Sequence, residues 1–184
     1  MENLLSGKKI AILIANGFEE SEFSEPYHAL KNSGALVHVI SLHPGKVRAW
    51  KNKNWSIEVG VDKTVDAVSA GEYDALILPG GVMNPDQLRL NKDAVAFVRD
   101  FLKAEKTVAA ICHAPWTLIE TSLLLGRIVT SYPSLKTDLI NAGATWVDQE
   151  VVVDAGLITS RRPDDLPAFC QRIIEEIAEG IHVE

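Results

Sequence analysis

Two neighbouring residues, Cys112 and His113, are of the types that carry covalent chemistry. A thiolate is a strong nucleophile, and a nearby imidazole can take and return its proton. Cys112 follows the apolar run Val108-Ala109-Ala110-Ile111 and precedes Pro115, a residue suited to the first turn of a helix. Small residues, Ala110 and Ala114, stand two positions to either side. That is the pattern of a nucleophile elbow, a strained strand-to-helix turn that presents the nucleophile. Backbone N–H groups at such a helix start favour the thiolate. Gly80-Gly81 follows a second apolar run, Ala75-Leu76-Ile77-Leu78. Two glycines allow close backbone approach and offer N–H groups to an oxyanion. No Lys-Ser/Thr follows them, so they do not form a phosphate loop.

Glu19, Glu20 and Glu22 lie together at the start of another candidate helix. Carboxylates suit the positive end of a helix dipole, but three in one turn exceed that need. One of them, turned inward and protonated, would hydrogen-bond a thiolate. The residues alone do not say which. Cys170 falls on an apolar helical stripe and reads as core. His28, His38 and His43 have no metal-ligand spacing, so no metal is expected. His182-Val183-Glu184 has the His-x-Glu spacing of triad glutamine amidotransferases, but it follows the last helix, where chains fray, and is set aside.

These residues need elements to hold them. Residues 10–15, 36–40, 75–78 and 108–111 are unbroken apolar runs of strand length. Such runs predict strands buried on both faces, as in a parallel sheet. Helices are expected over 20–32, 93–103, 115–125, 134–141 and 163–180, with Pro26 delaying or kinking the first. Residues 43–64 read as a loop with Trp50 and Trp55 flanking a Lys/Asn cluster, ending in an exposed strand at 57–61. Residues 145–159 read as short strands with a turn at Asp154-Ala155-Gly156. The alternation implies a doubly wound α/β sandwich, whose sites gather at the strand C-terminal ends. Cys112, Gly80-Gly81, the glutamates, Ser131-Tyr132-Pro133 and Ser160-Arg161-Arg162 all fall at such ends. Arg161 and Arg162 read either as binders of a substrate carboxylate or, the preferred reading, as caps of a solvated loop.

The chain has 184 residues, which at about 150 per domain implies one domain over 1–184. With 18 Lys and Arg against 25 Asp and Glu, the net charge of −7 opposes non-specific nucleic-acid binding. No apolar stretch approaches the ~18 residues of a membrane span, and Met1–Gly7 lacks the core of a signal peptide. Two cysteines are too few for a disulfide scaffold, so a reducing cytoplasm is expected.

From about Lys8 to Gly180 the chain resembles the PfpI family, in the superfamily of the Parkinson's-linked protein DJ-one. The resemblance rests on Ala15-Asn16-Gly17-Phe18-Glu19-Glu20-Ser21-Glu22, Leu78-Pro79-Gly80-Gly81, Arg89-Leu90-Asn91, Ala110-Ile111-Cys112-His113-Ala114-Pro115 and Thr130-Ser131-Tyr132-Pro133-Ser134. Asn141-Ala142-Gly143-Ala144-Thr145-Trp146-Val147-Asp148 and Ser160-Arg161-Arg162-Pro163-Asp164-Asp165-Leu166 complete it. It implies a flavodoxin-like, mostly parallel sheet sandwiched by helices, similar to class I glutamine amidotransferases. It implies Cys112 as nucleophile with His113 beside it, and Glu22 as the protonated acid at the sulfur. It implies that Gly80 and Gly81 line an oxyanion site and Tyr132 the pocket. It implies a homodimer or hexamer in which a neighbouring subunit supplies Asp86, where the hexameric relatives have Glu. Ala114, where many relatives have Gly, is expected to alter the elbow. The activity implied is a cofactor-independent stress enzyme that attacks methylglyoxal, glyoxal or their protein adducts through Cys112. The alternatives are an intracellular cysteine peptidase and a non-enzymatic redox sensor or chaperone. No cofactor, metal, nucleic acid or membrane is implied.

Overall fold

The structure is a computed structural model and describes residues 3–180. His182 and Glu184 lie outside the described residues.

From the N-terminus the elements are β1 (Lys9–Leu13), β2 (Phe18–Glu19), α1 (Glu20–Asn32) and β3 (Leu36–Ser41). A hairpin follows, β4 (Lys46–Lys51) and β5 (Asn54–Gly60), then β6 (Lys63–Thr64) and β7 (Ala75–Leu78). Next come α2 (Met83–Leu90), α3 (Lys92–Lys103), β8 (Thr107–Ile111) and α4 (Pro115–Ile119). The chain closes with β9 (Ile128–Val129), α5 (Lys136–Asn141), β10 (Thr145–Trp146), β11 (Val151–Asp154), β12 (Leu157–Ser160) and α6 (Leu166–Glu179).

Seven strands form the main sheet in the order β11-β12-β8-β7-β1-β3-β6. Every pairing is parallel except β11 with β12. Both faces are covered, which is why the strands read as unbroken apolar runs. Ile10, Ile12 and Ile14 pack with Phe23 and Leu30 of α1 and with Phe169, Ile173 and Ile177 of α6. Ala11 and Leu13 face the other way, toward Phe97, Val98 and Phe101 of α3 and Leu118 of α4. Phe101 and Phe169, both fully buried, anchor the two layers. Truncating either to Ala would cost about 3–5 kcal/mol. The flavodoxin-like, mostly parallel sandwich expected from the sequence is what the chain forms.

Several local expectations change. Residues 46–60 are a β-hairpin, not a loop. Its turn is Asn52-Lys53, with φ of 50° and 63°, flanked by the pair Lys51 and Asn54. Two positive φ values make the primed turn that matches strand twist. The polar turn and mostly exposed strand faces hid it from hydropathy. Trp50 and Trp55 meet edge to face across the hairpin, 5.3 Å between centroids. The helix expected over 115–125 stops at Ile119. There the Thr121 hydroxyl donates to the Leu118 carbonyl at 2.6 Å and accepts from the Leu123 N–H at 3.3 Å. Such local bonds compete with the helix ladder. Helix α1 begins on time at Glu20 and runs through Pro26. Helix α2 was not expected, because Asn84-Pro85 reads as a turn. Cys170 is half-buried at the margin of the α6 stripe, whose buried members are Leu166, Phe169, Ile173, Glu176 and Ile177.

Candidate active site

Cys112 sits immediately after β8 with φ +65°. A left-handed conformation costs a non-glycine residue roughly 1–2 kcal/mol. Neighbouring strand ends hold it there: the Cys112 N–H donates to the Ser160 carbonyl at 3.1 Å, and its carbonyl accepts from the Tyr132 N–H at 2.9 Å. The strain falls on the cysteine itself. Ala114 is ordinary right-handed helix, φ −55°, so an alanine there does not distort the elbow.

His113 turns toward its neighbour. Its Nδ1 lies 3.2 Å from Cys112 Sγ, and its Nε2 lies 3.3 Å from Ser134 Oγ. Tyr132 stacks on the imidazole, 4.7 Å between centroids, and Trp116 meets it edge-on at 5.2 Å. Burial lowers the His113 pKa, so the ring is neutral at neutral pH and can accept a proton.

The three glutamates separate by geometry. Glu19 is half-buried at the helix start, and Glu20 pairs with Lys51 of the hairpin at 2.9 Å. Glu22, in the first turn of α1, is fully buried and points at the elbow. The hairpin sets this course: β2 pairs with β4, and the Asn16 side chain accepts from the Arg48 N–H at 2.8 Å. Glu22 Oε2 accepts from the Gly80 N–H at 2.8 Å. Its Oε1 is buried with no N–H or O–H partner, and the carboxyl interacts with the Cys112 thiol. Burial pushes the Glu22 pKa up to about 8, against the Gly80 N–H, which pulls it down. Glu22 therefore carries its proton at neutral pH.

Burial, and then the Glu22 charge, push the Cys112 thiol up, while the N–H groups of Gly81 and His113 pull it down. The relief expected from a helix start is small, because α4 has only five residues. The repulsion from Glu22 exists only while that carboxyl is ionised. The pair thus resists holding two negative charges, and a protonated Glu22 carboxyl can donate to a thiolate formed beside it.

Gly80 admits no side chain. A Cβ there would lie 2.5 Å from Glu22 Oε2, 2.7 Å from Cys112 Cβ and 2.7 Å from the Ile111 carbonyl. Gly81 adopts φ +77° against the Gly17 carbonyl. Asp86 is exposed on α2. Among the described residues, His113 Nε2 meets Ser134 and not Asp86. Arg161 is committed to Asp148 at 2.8 Å and Asp165 at 2.9 Å, which agrees with its reading as a loop cap. Sequence reasoning did not single out Ser134, although it closes the Thr130–Ser134 block, nor Asn84, which carries no motif of its own. Among the described residues no group of three or more His, Cys, Asp or Glu is arranged to hold a metal.

Residues 8–176 match the DJ-1/PfpI family. The chain belongs to the DJ-1/PfpI family. General stress protein 18 of Bacillus subtilis is 46% identical over 164 residues, covering 89% of this chain and 94% of that protein. Protein/nucleic acid deglycase 2 of Escherichia coli is 47% identical over 163 residues, covering 88% and 93%. Among solved structures, a two-domain protein of Anabaena variabilis with DJ-1/ThiJ/PfpI-like and ferritin-like domains superposes with a TM-score of 0.88 at 39% identity. That match covers 92% of this chain and 48% of the two-domain protein. As a DJ-1/PfpI member the chain is of a cysteine-dependent enzyme type. No helix among the described residues is long and apolar enough to cross a membrane.

Proposed function

We propose that the chain is a cysteine enzyme acting on reactive carbonyl compounds, with Cys112 as nucleophile. The observation that carries this reading is the fully buried Glu22 carboxyl, whose burial favours its protonated form, set against a strained cysteine with an imidazole 3.2 Å from its sulfur. For methylglyoxal, the Cys112 sulfur forms a bond to the aldehyde carbon and the carbonyl π pair moves to oxygen. The N–H groups of Gly81 and His113 stabilise that oxygen. Proton return gives a thiohemiacetal. Glu22 and His113 then move a proton from the former aldehyde carbon to the neighbouring ketone system, through an enediol. The aldehyde carbon is oxidised and the ketone carbon reduced, so no external oxidant is needed. Water cleaves the resulting thioester to lactate and free thiol.

Relatives of this chain carry the names deglycase, stress protein and protease. Only 8% of Cys112 is exposed, which favours a small carbonyl over an extended peptide. In this reading Gly80 and Tyr132 shape the pocket, and Asp86 serves a second copy of the chain. Lactate formed from methylglyoxal, with metal removed by chelation, tests the proposal. Wild-type turnover that vanishes in Cys112→Ser is expected. No lactate from the wild type would overturn the glyoxalase reading and favour peptidase or redox-sensor roles.

A further inference from the structure

Asn84 is fully buried in the first turn of α2. Its Oδ1 accepts from the Ala15 N–H at 2.7 Å, and its Nδ2 donates to the carbonyls of Pro79 at 2.8 Å and Gly80 at 3.0 Å. Only one orientation of the amide serves one N–H and two carbonyls. The two carbonyls are not arbitrary. A trans peptide is a rigid plane with its C=O and N–H on opposite edges. The Pro79 carbonyl shares a plane with the Gly80 N–H, which donates to Glu22 at 2.8 Å. The Gly80 carbonyl shares a plane with the Gly81 N–H, which favours the charged forms of both Glu22 and Cys112. Asn84 thus grips the far edges of the two planes whose near edges face the acid and the nucleophile. The second plane lies between two glycines, and its carbonyl also accepts from the Glu19 N–H at a longer 3.4 Å.

We propose that Asn84 is the positioning residue of this site, aiming the Gly80 and Gly81 N–H groups at Glu22 and at the reacting sulfur. The proposal deepens the reading of Cys112 as nucleophile and rests on it, but its main test requires no substrate. The rate of Cys112 alkylation by iodoacetamide is followed against pH, with mass spectrometry separating it from Cys170. Wild type is compared with Asn84→Asp, Asn84→Ala and Asn84→Ser. Gln87→Ala is the control, since Gln87 bonds the Asn16 and Met83 carbonyls at 2.8 Å and touches neither plane.

In the Asn84 variants the alkylation midpoint rises by about one pH unit, because the thiolate loses an aimed donor. On methylglyoxal, kcat falls about 10- to 100-fold with KM nearly unchanged, as for a donor used in the transition state. The control keeps the wild-type midpoint. A folded Asn84 variant with wild-type midpoint and kcat would overturn the proposal, as would an equal shift in Gln87→Ala. Should no Asn84 variant fold, hydrogen exchange in the wild type decides. Gly80 and Gly81 amides as slow as the β8 core support the clamp, and exchange at open-loop rates refutes it. A shifted midpoint in protein that makes no lactate would retain the clamp and discard the carbonyl substrate.

Discussion

Glu22 is an acid held protonated by its surroundings, and that state has a measurable thermodynamic consequence. Its folded-state pKa of about 8 lies above the ordinary carboxyl value of 4.5. Between those values the folded chain binds a proton that the unfolded chain releases, so stability falls as pH rises through the window. The contribution is on the order of a few kcal/mol at full burial. Glu22→Gln keeps the volume and a hydrogen-bond donor but cannot titrate. Denaturant unfolding from pH 5 to 9 should show wild type losing stability toward the alkaline end and the variant gaining on it steadily. A constant difference across the range would mean that Glu22 is ionised in the folded protein. The same variant should lose about 10²- to 10⁴-fold in kcat, the range expected for a proton-transfer group.

At the scale of the element, the β4–β5 hairpin steers the site without touching the sulfur. It pairs with Phe18 and Glu19, the residues that lead into α1, and so sets where Glu22 enters the core. Its turn carries a lysine in left-handed conformation, Lys53 at φ 63°. Glycine meets no Cβ penalty there. Lys53→Gly should therefore stabilise the chain by roughly 0.5–1 kcal/mol, raising Tm by about 1–4 °C for a chain of this size, with activity unchanged. A lower Tm would show that the lysine side chain, not the turn geometry, matters at this position. Asn52-Lys53 shows how a strong structural signal escapes a hydropathy reading. The turn type depends on φ, which two polar residues do not reveal.

For the molecule as a whole, His113 Nε2 meets Ser134 within one copy of the chain, which leaves Asp86 to be placed by assembly. Asp86 stands on the exposed side of α2 near Val82, 54% exposed, and Leu90, 85% exposed. Such apolar exposure on one short helix is consistent with burial against a second copy. If Asp86 serves a neighbour's site, two inactive variants should repair each other. Mixed after reversible dissociation, Cys112→Ser and Asp86→Ala subunits would form hybrid dimers with one intact site. Activity should recover toward about a quarter of wild type at equal mixing. Continued inactivity in demonstrated hybrids would restrict Asp86 to its own chain or remove it from the mechanism.

Much of this architecture is local information. The apolar runs at 10–15, 75–78 and 108–111 announce strands buried on both faces, because period and length are read within a few residues. The glycine pair and the cysteine fall where those runs end, so their place on the sheet edge follows from chain order. The identity of the inward acid does not follow from the residues themselves. Glu19, Glu20 and Glu22 are chemically alike, and the family resemblance was needed to prefer one. The fold decides by bringing Gly80 to Glu22 across 58 residues of chain and Asn84 to Ala15 across 69. The His113–Ser134 contact and the positive φ at Cys112 arise in the same way. Burial and hydrogen-bond geometry are properties of atoms that meet only after the strands have paired, and no window of sequence contains them.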